Sequence, residues 1–372
     1  MPTPRSAARP ARARPGEAWD PRGHRPAEDL DPAHDPGPDA AQARIEALAI
    51  DEAATEPLVA GDGHLVRVGT ASWTDPTMTA AGVFYPPDAG TAEERLQFYA
   101  SRFPVVEVDA TYYALPSRRL SELWVARTPP DFVFDIKAHA LLTGQPTETK
   151  RLPRAIREAL PAEIATKARL YAKDLPDELR EEVWHQFADG LAPLAEAGQL
   201  GAVFLQYPKW FFTSSENRDA IREAKAALAP YGLRVAVEFR NATWFNEKNV
   251  ERTLRFLEDE GIPLVMIDGP QGFKSSVPPM VATTTNDLAI VRFHGRRTAT
   301  WENMAGRATV ERFRYLYDEG ELREWVPRIA QAATQAADTH VLMNNCYANY
   351  GSTNARELAK LLEAELAGFQ PG

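Results

Sequence analysis

Residues 234–240 read Arg-Val-Ala-Val-Glu-Phe-Arg. Val235, Val237 and Phe239 therefore alternate with Arg234, Ala236, Glu238 and Arg240, three of which are charged. Successive side chains of a β-strand point to opposite faces, and this alternation therefore predicts a strand with one apolar and one polar face. The next apolar positions, at 250, 254 and 257, have the spacing of an amphipathic α-helix. Together these residues predict one strand followed by one helix.

The same strand–helix unit recurs along most of the chain. We predict strands at Val66–Gly69, Val105–Val108, Val133–Ile136, Ala202–Leu205, Arg234–Glu238, Leu264–Ile267, Leu288–Arg292 and His340–Leu342. Strands that alternate with helices pair in parallel through right-handed crossovers. Eight such units favour a (β/α)₈ TIM-type barrel. An open doubly wound sheet is the alternative, although the first strand is followed by Thr-Ala-Ser-Trp and not by a G-x-G-x-x-G motif.

The composition divides the chain into a tail and a barrel domain. Residues 1–62 are rich in Pro, Ala, Arg and Asp and nearly lack β-branched and aromatic residues, which predicts a disordered tail with 41–54 as a candidate short helix. The barrel is expected over residues 63–368. Its long insertion, 144–181, follows the third strand and would be either a lid over the site or a helical decoration.

Charge and composition exclude several classes of protein. A chain that is 44% hydrophobic and 25% charged is typical of a soluble globular protein. Its net charge of -10 disfavours nucleic acid as a partner. No apolar run approaches the ~20 residues of a membrane span, and no signal peptide is evident. Cys346 is the only cysteine, which excludes an intramolecular disulfide and favours a cytoplasmic protein.

Charged residues recur at alternate positions near the C-terminal ends of the predicted strands, where barrel enzymes keep their active sites. Because the apolar set must face the helices, we expect the polar set to point into the barrel axis. This set is Glu107, Asp109, Asp135, Lys137, His139, Arg234, Glu238, Arg240, Asp268, Arg292, His294 and Arg296. Unpaired buried charges are costly, so these groups are either paired with one another or reserved for a ligand. For Glu107, Asp135 and Arg234, deep or early in their strands, we favour structural ion pairs.

Aromatic and amide residues follow the same strand ends. The aromatic candidates for stacking on a ring-bearing ligand are Trp73, Tyr112, Tyr113, Tyr207, Trp210 and Trp244. Asn344 and Asn345 end the eighth strand, and their amides would bond polar atoms of the same ligand. Packing in the core is the alternative for each aromatic residue, and helix capping is the alternative for the asparagines.

Six ordered motifs in these segments resemble a known family. They are Val-Gly-Thr-Ala-Ser-Trp (68–73), Glu-Val-Asp-Ala-Thr-Tyr-Tyr-Ala-Leu-Pro (107–116), Phe-Asp-Ile-Lys-Ala-His (134–139), Val-Glu-Phe-Arg-Asn-Ala-Thr-Trp (237–244), Val-Arg-Phe-His-Gly-Arg (291–296) and Asn-Asn-Cys-Tyr (344–347) with Asn354-Ala355. The chain is similar, from about Val66 to Leu366, to the domain of unknown function 72, the YecE-like proteins. This resemblance implies a TIM-type barrel and no particular reaction. Asp109 and Tyr112 stand where the family usually has Asn and Phe, and the extra carboxylate weighs against a purely anionic ligand.

The clustered charges favour an enzyme, hydrolase-like, that acts on an anionic ligand such as a phosphate-bearing or nucleotide-like compound. Arginine recognises phosphate with two parallel hydrogen bonds, which makes Arg240, Arg292 and Arg296 candidate substrate-binding residues. Glu238 or Asp268 would act as general base and His294 as general acid. Lys137 is a further catalytic candidate.

Other functions remain open from the sequence. A glycosidase-like hydrolase would pair Glu238 with Glu107 or Asp109. Lys137 would form a Schiff base if its desolvation outweighed its acidic neighbours. A non-catalytic ligand-binding or regulatory protein would use the same pocket without turnover.

No cofactor is predicted. A single Mg²⁺ or Mn²⁺ held by Asp268 and Glu238 is the alternative. Only His139 and His294 among the histidines lie at C-terminal strand ends, which disfavours a multi-zinc cluster. Cys346 has no activating base nearby in sequence and is expected to be a small buried hydrophobe.

Overall fold

Eight parallel strands form the central sheet of the structure, a computed structural model. It describes residues 31–48, 56–61, 63–80, 82–302 and 309–368. The strands are β1 Leu65–Ala71, β2 Val105–Val108, β3 Val133–Lys137, β4 Leu200–Gln206, β5 Val235–Glu238, β6 Val265–Asp268, β7 Leu288–Phe293 and β8 Asp338–Met343. Each overlaps the strand predicted from the apolar pattern, so all eight predictions are confirmed.

The order of the strands confirms a nearly closed TIM-type barrel. The ladder runs β5-β4-β3-β2-β1-β8-β7-β6, and one parallel bridge between Val237 and Leu264 links its two ends. An open doubly wound sheet reverses direction on either side of its first strand, whereas here the strands follow in sequence order and β1 pairs with β8. The alternative of an open sheet is therefore wrong. A short outer strand, Leu58–Val59, pairs antiparallel with β1.

Helices cover the outer face of the barrel. Their bounds are α1 Pro38–Leu48, α2 Ala92–Ala100, α3 Arg118–Ala126, α4 Arg154–Glu158, α5 Ala162–Ala165, α6 Asp177–Glu196, α7 Ser215–Leu228, α8 Val250–Asp259, α9 Glu319–Arg323, α10 Val326–Gln335 and α11 Tyr350–Gly368. Local sequence determines where several begin: Thr91 and Glu94 form a capping box at α2, and Ser214 caps α7. Among the described helices, none combines the length and apolar character needed to cross a membrane.

A cluster of buried charges fills the N-terminal half of the barrel. His340 Nδ1 lies 2.8 Å from an Asp135 oxygen, and Asp338 accepts from Arg67 at 2.9 Å. Gly201 lies against this cluster, where a Cβ would be 2.3 Å from Asp135 Oδ1. We call Arg67, Asp135, Asp338 and His340 the lower cluster. The prediction of a structural ion pair is confirmed for Asp135.

The side-chain direction predicted for β6 is wrong. In the register, Ile267 lies beside the inward-pointing Arg292, and Asp268 lies beside the outward-pointing Phe293. Asp268 therefore points to the helix layer, where it accepts from Trp325 Nε1 at 2.7 Å and bonds Arg296. The apolar run before Asp268 gave no alternation that could assign its face, and partners on the helix side satisfy the carboxylate. Arg234 also differs from expectation, since it pairs at the surface with Asp287.

Part of the predicted disordered tail is ordered. In residues 31–48, α1 packs against α11, and the fully buried Asp35 pairs with Arg314 at 3.0 Å. Asp35 also accepts from the Tyr350 hydroxyl at 2.8 Å. The prediction of disorder is wrong for these residues. It was based on their lack of a large apolar face, but ion pairs and a few small apolar contacts hold them against the barrel. The rest of the predicted tail, 1–30 and 49–55, lies outside the described residues.

The insertion after β3 is a small folded layer. The strands Thr147–Glu148 and Arg169–Leu170 pair antiparallel, and Ile156 of α4 is buried in the main core. Because α6 begins at Asp177, the last five residues of the predicted insertion belong to a barrel helix.

Candidate functional site

A polar cavity opens at the C-terminal ends of the barrel strands. Its volume is about 320 Å³. Eight of the predicted site residues line it: Asp109, Tyr112, Tyr113, Lys137, Tyr207, Trp210, Arg240 and Asn344. They follow or end β2, β3, β4, β5 and β8, so separate strands bring them together. The structure thus confirms the face of the barrel at which the polar strand ends meet.

A fully buried ion-pair cluster forms the floor beneath the cavity. Arg292 donates to both oxygens of Glu107 at 2.8 and 2.7 Å and also bonds Glu238. Burial raises the pKa of Glu107 to about 6 against the opposing charge of Arg292. Burial also acts to raise the pKa of Glu238, but Arg292 and Arg240 outweigh it and hold that pKa well below the ordinary value. We call Glu107, Glu238 and Arg292 the upper cluster, and for Glu107 the predicted structural ion pair is confirmed.

Arg240 connects the upper cluster to the cavity wall. Its Nε donates to Glu238 at 2.5 Å, and its guanidinium lies 4.7 Å from the centre of the Trp301 ring. Its Nη2 atom lies 3.2 Å from a ring nitrogen of His294, and Asn344 contacts the same imidazole at 2.7 Å. Arg240 is therefore held in a fixed orientation with part of its guanidinium exposed to the cavity.

The proposed acid–base roles of Glu238 and His294 do not fit this geometry. Burial and the charge of Arg240 lower the pKa of His294 to about 3, so its imidazole is neutral near pH 7 and has no imidazolium proton to donate. Glu238 is held by Arg292 and Arg240, which makes it a weak base. Both residues orient the side chains above them instead. The glycosidase-like pairing of Glu238 with Glu107 does not fit either, because both carboxylates bind the guanidinium of Arg292.

Lys137 ends β3 and projects into the cavity. Its Nζ lies 4.8 Å from the centre of the Tyr112 ring and has no hydrogen bond or ion pair with any described residue. Burial and the nearby charge of Arg292 lower its pKa, while Glu107 and Asp109 oppose that shift. Burial likewise raises the pKa of Asp109. The cavity therefore contains an amine and a carboxyl group whose ionisation is displaced toward neutrality.

Arg312 is a cavity residue that the sequence did not single out. It lies in the segment between β7 and α9, on a short 3₁₀ turn at Thr309–Phe313. Its Nε is buried without a hydrogen-bond partner, and no described carboxylate forms an ion pair with it. The sequence feature that could have identified Arg312 is the arginine-rich loop after the seventh strand. Loops that follow the C-terminal ends of the strands form the active sites of barrel enzymes.

Aromatic side chains form the rim of the cavity. Tyr113 is 46% exposed and Trp210 is 54% exposed, although both are large rings. Gln145, at the start of the insertion, accepts from the Tyr112 hydroxyl at 2.9 Å and lines the same rim. These exposed faces are available to stack on a planar ring.

Eight of the predicted catalytic and substrate-binding residues do not line the cavity. Glu238, Arg292 and His294 belong to the buried network described above, and the other five are Trp73, Trp244, Asp268, Arg296 and Asn345. Trp73 packs edge-on against Trp124, and Trp244 donates from Nε1 to Phe211 O at 2.7 Å. The core alternative therefore holds for both tryptophans, which face outward.

The other three have partners elsewhere. Arg296 is bound to Asp268 and to Glu324, each at 2.8 Å. Asn345 donates to Tyr315 O and to Asn354 Oδ1, both at 2.8 Å, and is fully buried. These five side chains stabilise the barrel and its outer layer.

The predicted metal pair is also separated. Glu238 points into the barrel and Asp268 points to the helices, so the two carboxylates do not share one ion. Within the part of the chain that the structure describes, one group brings three ligand-type atoms within 4.8 Å of one another: His34, Asp318 and Glu321. None of the three lines the cavity, and Asp318 and Glu321 already form the capping box of α9.

Cys346 is buried, as expected of a small hydrophobe. Its Sγ lies 2.5 Å from Ala71 O, and burial raises the pKa of the thiol well above its ordinary value. A raised thiol pKa disfavours the thiolate, which is the nucleophilic form.

Together the fold and the site define a (β/α)₈ barrel protein with a cationic, aromatic-rimmed cavity at the C-terminal ends of its strands. The chain belongs to the family described as protein of unknown function DUF72, whose sequence model matches residues 67–371. It is 30% identical over 309 residues to the UPF0759 protein YunF of Bacillus subtilis (strain 168), a match that covers 82% of this chain and 98% of that protein. The family resemblance in the sequence motifs is confirmed.

Solved structures of the same family have the same fold. A DUF72 family protein from Thermotoga maritima MSB8 is 29% identical and superposes with a TM-score of 0.62, covering 81% of this chain and 100% of that one. One from Enterococcus faecalis V583 is 24% identical, with a TM-score of 0.61 and coverage of 80% and 98%. The region shared with these relatives is the barrel.

Proposed function

We propose that this protein is an enzyme that acts on a small, phosphate-bearing, nucleotide-like ligand bound in the cavity. The observation that carries this proposal is that two cations of one cavity, Lys137 and Arg312, lack an ionic partner among the described residues. An unpaired charge that is partly removed from water is unfavourable, and an anionic ligand would supply the missing partner.

The balance of charge around the cavity supports an anion. Four cationic side chains line the cavity: Lys137, Lys209, Arg240 and Arg312. Only two of the described lining residues are carboxylates, Asp109 and Glu302. Burial raises the pKa of Asp109 and lowers the pKa of Lys137, so it disfavours the charged form of both groups. Arg240, fixed by Glu238 and Trp301, presents the planar donor group that suits phosphate.

The rim supports a ring-bearing ligand. Tyr113 and Trp210 expose their rings where a base or another planar group would stack above the cationic floor. An enzyme is favoured over a passive binding protein because displaced pKa values of Lys137 and Asp109 occur together in a cleft.

Calorimetric titration with adenosine monophosphate, inorganic pyrophosphate and adenosine tests this proposal. We expect the two phosphate compounds to bind and adenosine to bind far more weakly. Arg312→Gln should weaken binding of adenosine monophosphate by about tenfold, equivalent to about 1.4 kcal/mol. Arg119→Gln is the matched control, because Arg119 is exposed and outside the cavity. Equal affinities for adenosine and its monophosphate would overturn the proposal.

A further inference from the structure

We propose that Lys137 is an amine nucleophile that forms a Schiff base with an aldehyde or ketone group of the ligand. The inference rests on the proposed function for the anionic part of that ligand. It keeps the phosphate group of that ligand, adds a reactive carbonyl group to it, and assigns a covalent step to a named atom.

The position of Lys137 provides access for a carbonyl group. It is the last residue of β3, so the barrel sheet fixes its backbone and its stem is confined by neighbouring strands. Its Nζ projects into the cavity beside the face of Tyr112, at 4.8 Å from the ring centre. Lysines that pair with carboxylates are shielded from reaction, whereas this amine forms no ion pair with the described residues.

The surroundings favour the reactive form of the amine. Nucleophilic attack requires the neutral amine, and burial together with the positive charge of Arg292 acts against protonation of Nζ. Arg292 cannot move away, because Glu107 and Glu238 hold it in the upper cluster. The buried ion pairs therefore fix the Arg292 guanidinium below the amine, while the carboxylates Glu107, Glu238 and Asp109 act to raise the pKa of Lys137 and only partly offset its lowering.

Asp109 is placed to exchange protons during the step. Val108 and Ile136 are aligned in the β2–β3 register, which puts Asp109 opposite Lys137 at the end of the next strand. Both residues line the same cavity. A carboxyl group with a raised pKa can donate one proton and recover it within one reaction.

The step balances without an external reagent. The lone pair of neutral Nζ attacks the carbonyl carbon, and the oxygen takes a proton from Asp109 to give a carbinolamine. Nitrogen loses one proton to Asp109 and a second to the departing hydroxyl group. The C–O bond breaks, a C=N bond forms and water leaves, carrying both hydrogens of the original amine.

The two arginines define the other end of the ligand. Arg240 and Arg312 come from β5 and from the loop after β7, so they lie on other parts of the wall that also contains Lys137. A phosphate held between them would keep a carbonyl group near Nζ and raise its effective concentration. A cavity of about 320 Å³ accommodates a short phosphorylated aldehyde or ketone.

Reductive trapping of the full-length protein tests the inference. The probe is glyceraldehyde 3-phosphate, and glyceraldehyde is the matched control that has the aldehyde without the phosphate. Sodium borohydride reduces any imine, and peptide mass spectrometry then measures labelling at each lysine. Lys209 is the internal reference because it is exposed and lines the same cavity.

We expect the phosphorylated probe to label Lys137 about tenfold faster than Lys209 near neutral pH. Arg312→Gln should remove most of that excess, whereas the control variant Arg119→Gln, outside the cavity, should retain it. Lys137→Arg should abolish the adduct while phosphate still binds. The wild-type labelling ratio remains decisive even if a Lys137 variant does not fold.

The outcomes separate this inference from the proposed function. Phosphate binding with Lys137 labelled no faster than Lys209 overturns the Schiff base and leaves the anion site standing. Rapid labelling of Lys137 by both aldehydes at the same rate supports the amine nucleophile and contradicts phosphate recognition. Preferential labelling by the phosphorylated probe supports both.

Discussion

The lower cluster and the wall of the cavity use the same residue types in opposite ways. In the lower cluster, His340 lies between Asp135 and Asp338, and Arg67 completes the group. In the cavity wall, Lys137 and Arg312 have no described ionic partner. Buried charges that stabilise the fold are paired within the protein, whereas charges kept for a ligand are paired by that ligand. The pairing of each charge therefore distinguishes structure from function better than its residue type does.

The largest effect is expected from breaking the upper cluster, which is paired like the lower one. Arg292→Met leaves Glu107 buried without its ion-pair partner and leaves Glu238 with Arg240 alone, and it should destabilise the protein by about 3–5 kcal/mol. Urea denaturation measures this free energy, with the exposed Arg119→Met as control. A loss below about 1 kcal/mol would show that the upper cluster is not a structural element.

The lower cluster should make stability depend on pH. Burial opposes protonation of His340, but Asp135 and Asp338 outweigh it and raise its pKa from 6.5 to about 9. Because the folded pKa exceeds the unfolded one, this stabilisation is complete below pH 6.5 and is lost as pH rises through about 9. The loss should be on the order of 3 kcal/mol.

Urea unfolding between pH 6 and pH 10 measures this dependence. His340→Gln is the control, because it removes the titrating group and retains a polar side chain. If the variant and the wild type lose stability equally over this range, the dependence does not come from His340.

Contacts of the N-terminal segment give an intermediate prediction. Asp35→Asn replaces a buried carboxylate that binds Arg314 and Tyr350, and should cost about 2 kcal/mol. Arg314 is two residues from Arg312, so we also expect binding of adenosine monophosphate to weaken. Denaturation and calorimetry on one preparation measure both effects, with the exposed Asp39→Asn as control. If Asp35→Asn lowers stability and leaves the affinity for adenosine monophosphate unchanged, the contact between Asp35 and Arg314 has a structural role only.

The smallest change in stability is expected in the cavity. Lys137→Met removes a charge that has no ionic partner, and the free energy of unfolding should therefore change by less than about 1 kcal/mol. Binding and trapping should nevertheless be impaired. A destabilisation of the size expected for Arg292→Met would remove the distinction between paired and unpaired charges.

The strands were predictable because their pattern depends on local physics. Residues buried on the helix side must be apolar, so the alternation in 234–240 identified both the strand and the inward face that holds Glu238. In β6 the same rule failed, since Val265, Met266 and Ile267 are all apolar and leave the face undetermined. Asp268 was consequently assigned to the wrong side.

The candidate site was predictable where its residues lie on strands or within a few residues of a strand end. Lys137 and Arg240 follow from strand position, whereas Arg312 lies in a loop whose path depends on tertiary contacts. Trp73 and Trp244 show the reverse error, since a position after a strand does not reveal which way a large ring turns. The packing of residues 31–48 against the barrel was missed because it depends on distant partners, such as Arg314 for Asp35 and Glu357 for Arg44, which local composition does not reveal.

The buried Asp35 has a consequence for how specificity can change within the family. The family match begins at Arg67, so the carboxylate that anchors the loop beside the cavity lies outside the shared barrel. Exchange of this peripheral segment would alter the wall that carries Arg312 without a substitution at any strand position. A segment outside the shared barrel can in this way adjust the wall of the cavity, and it can be acquired or replaced independently of the barrel strands.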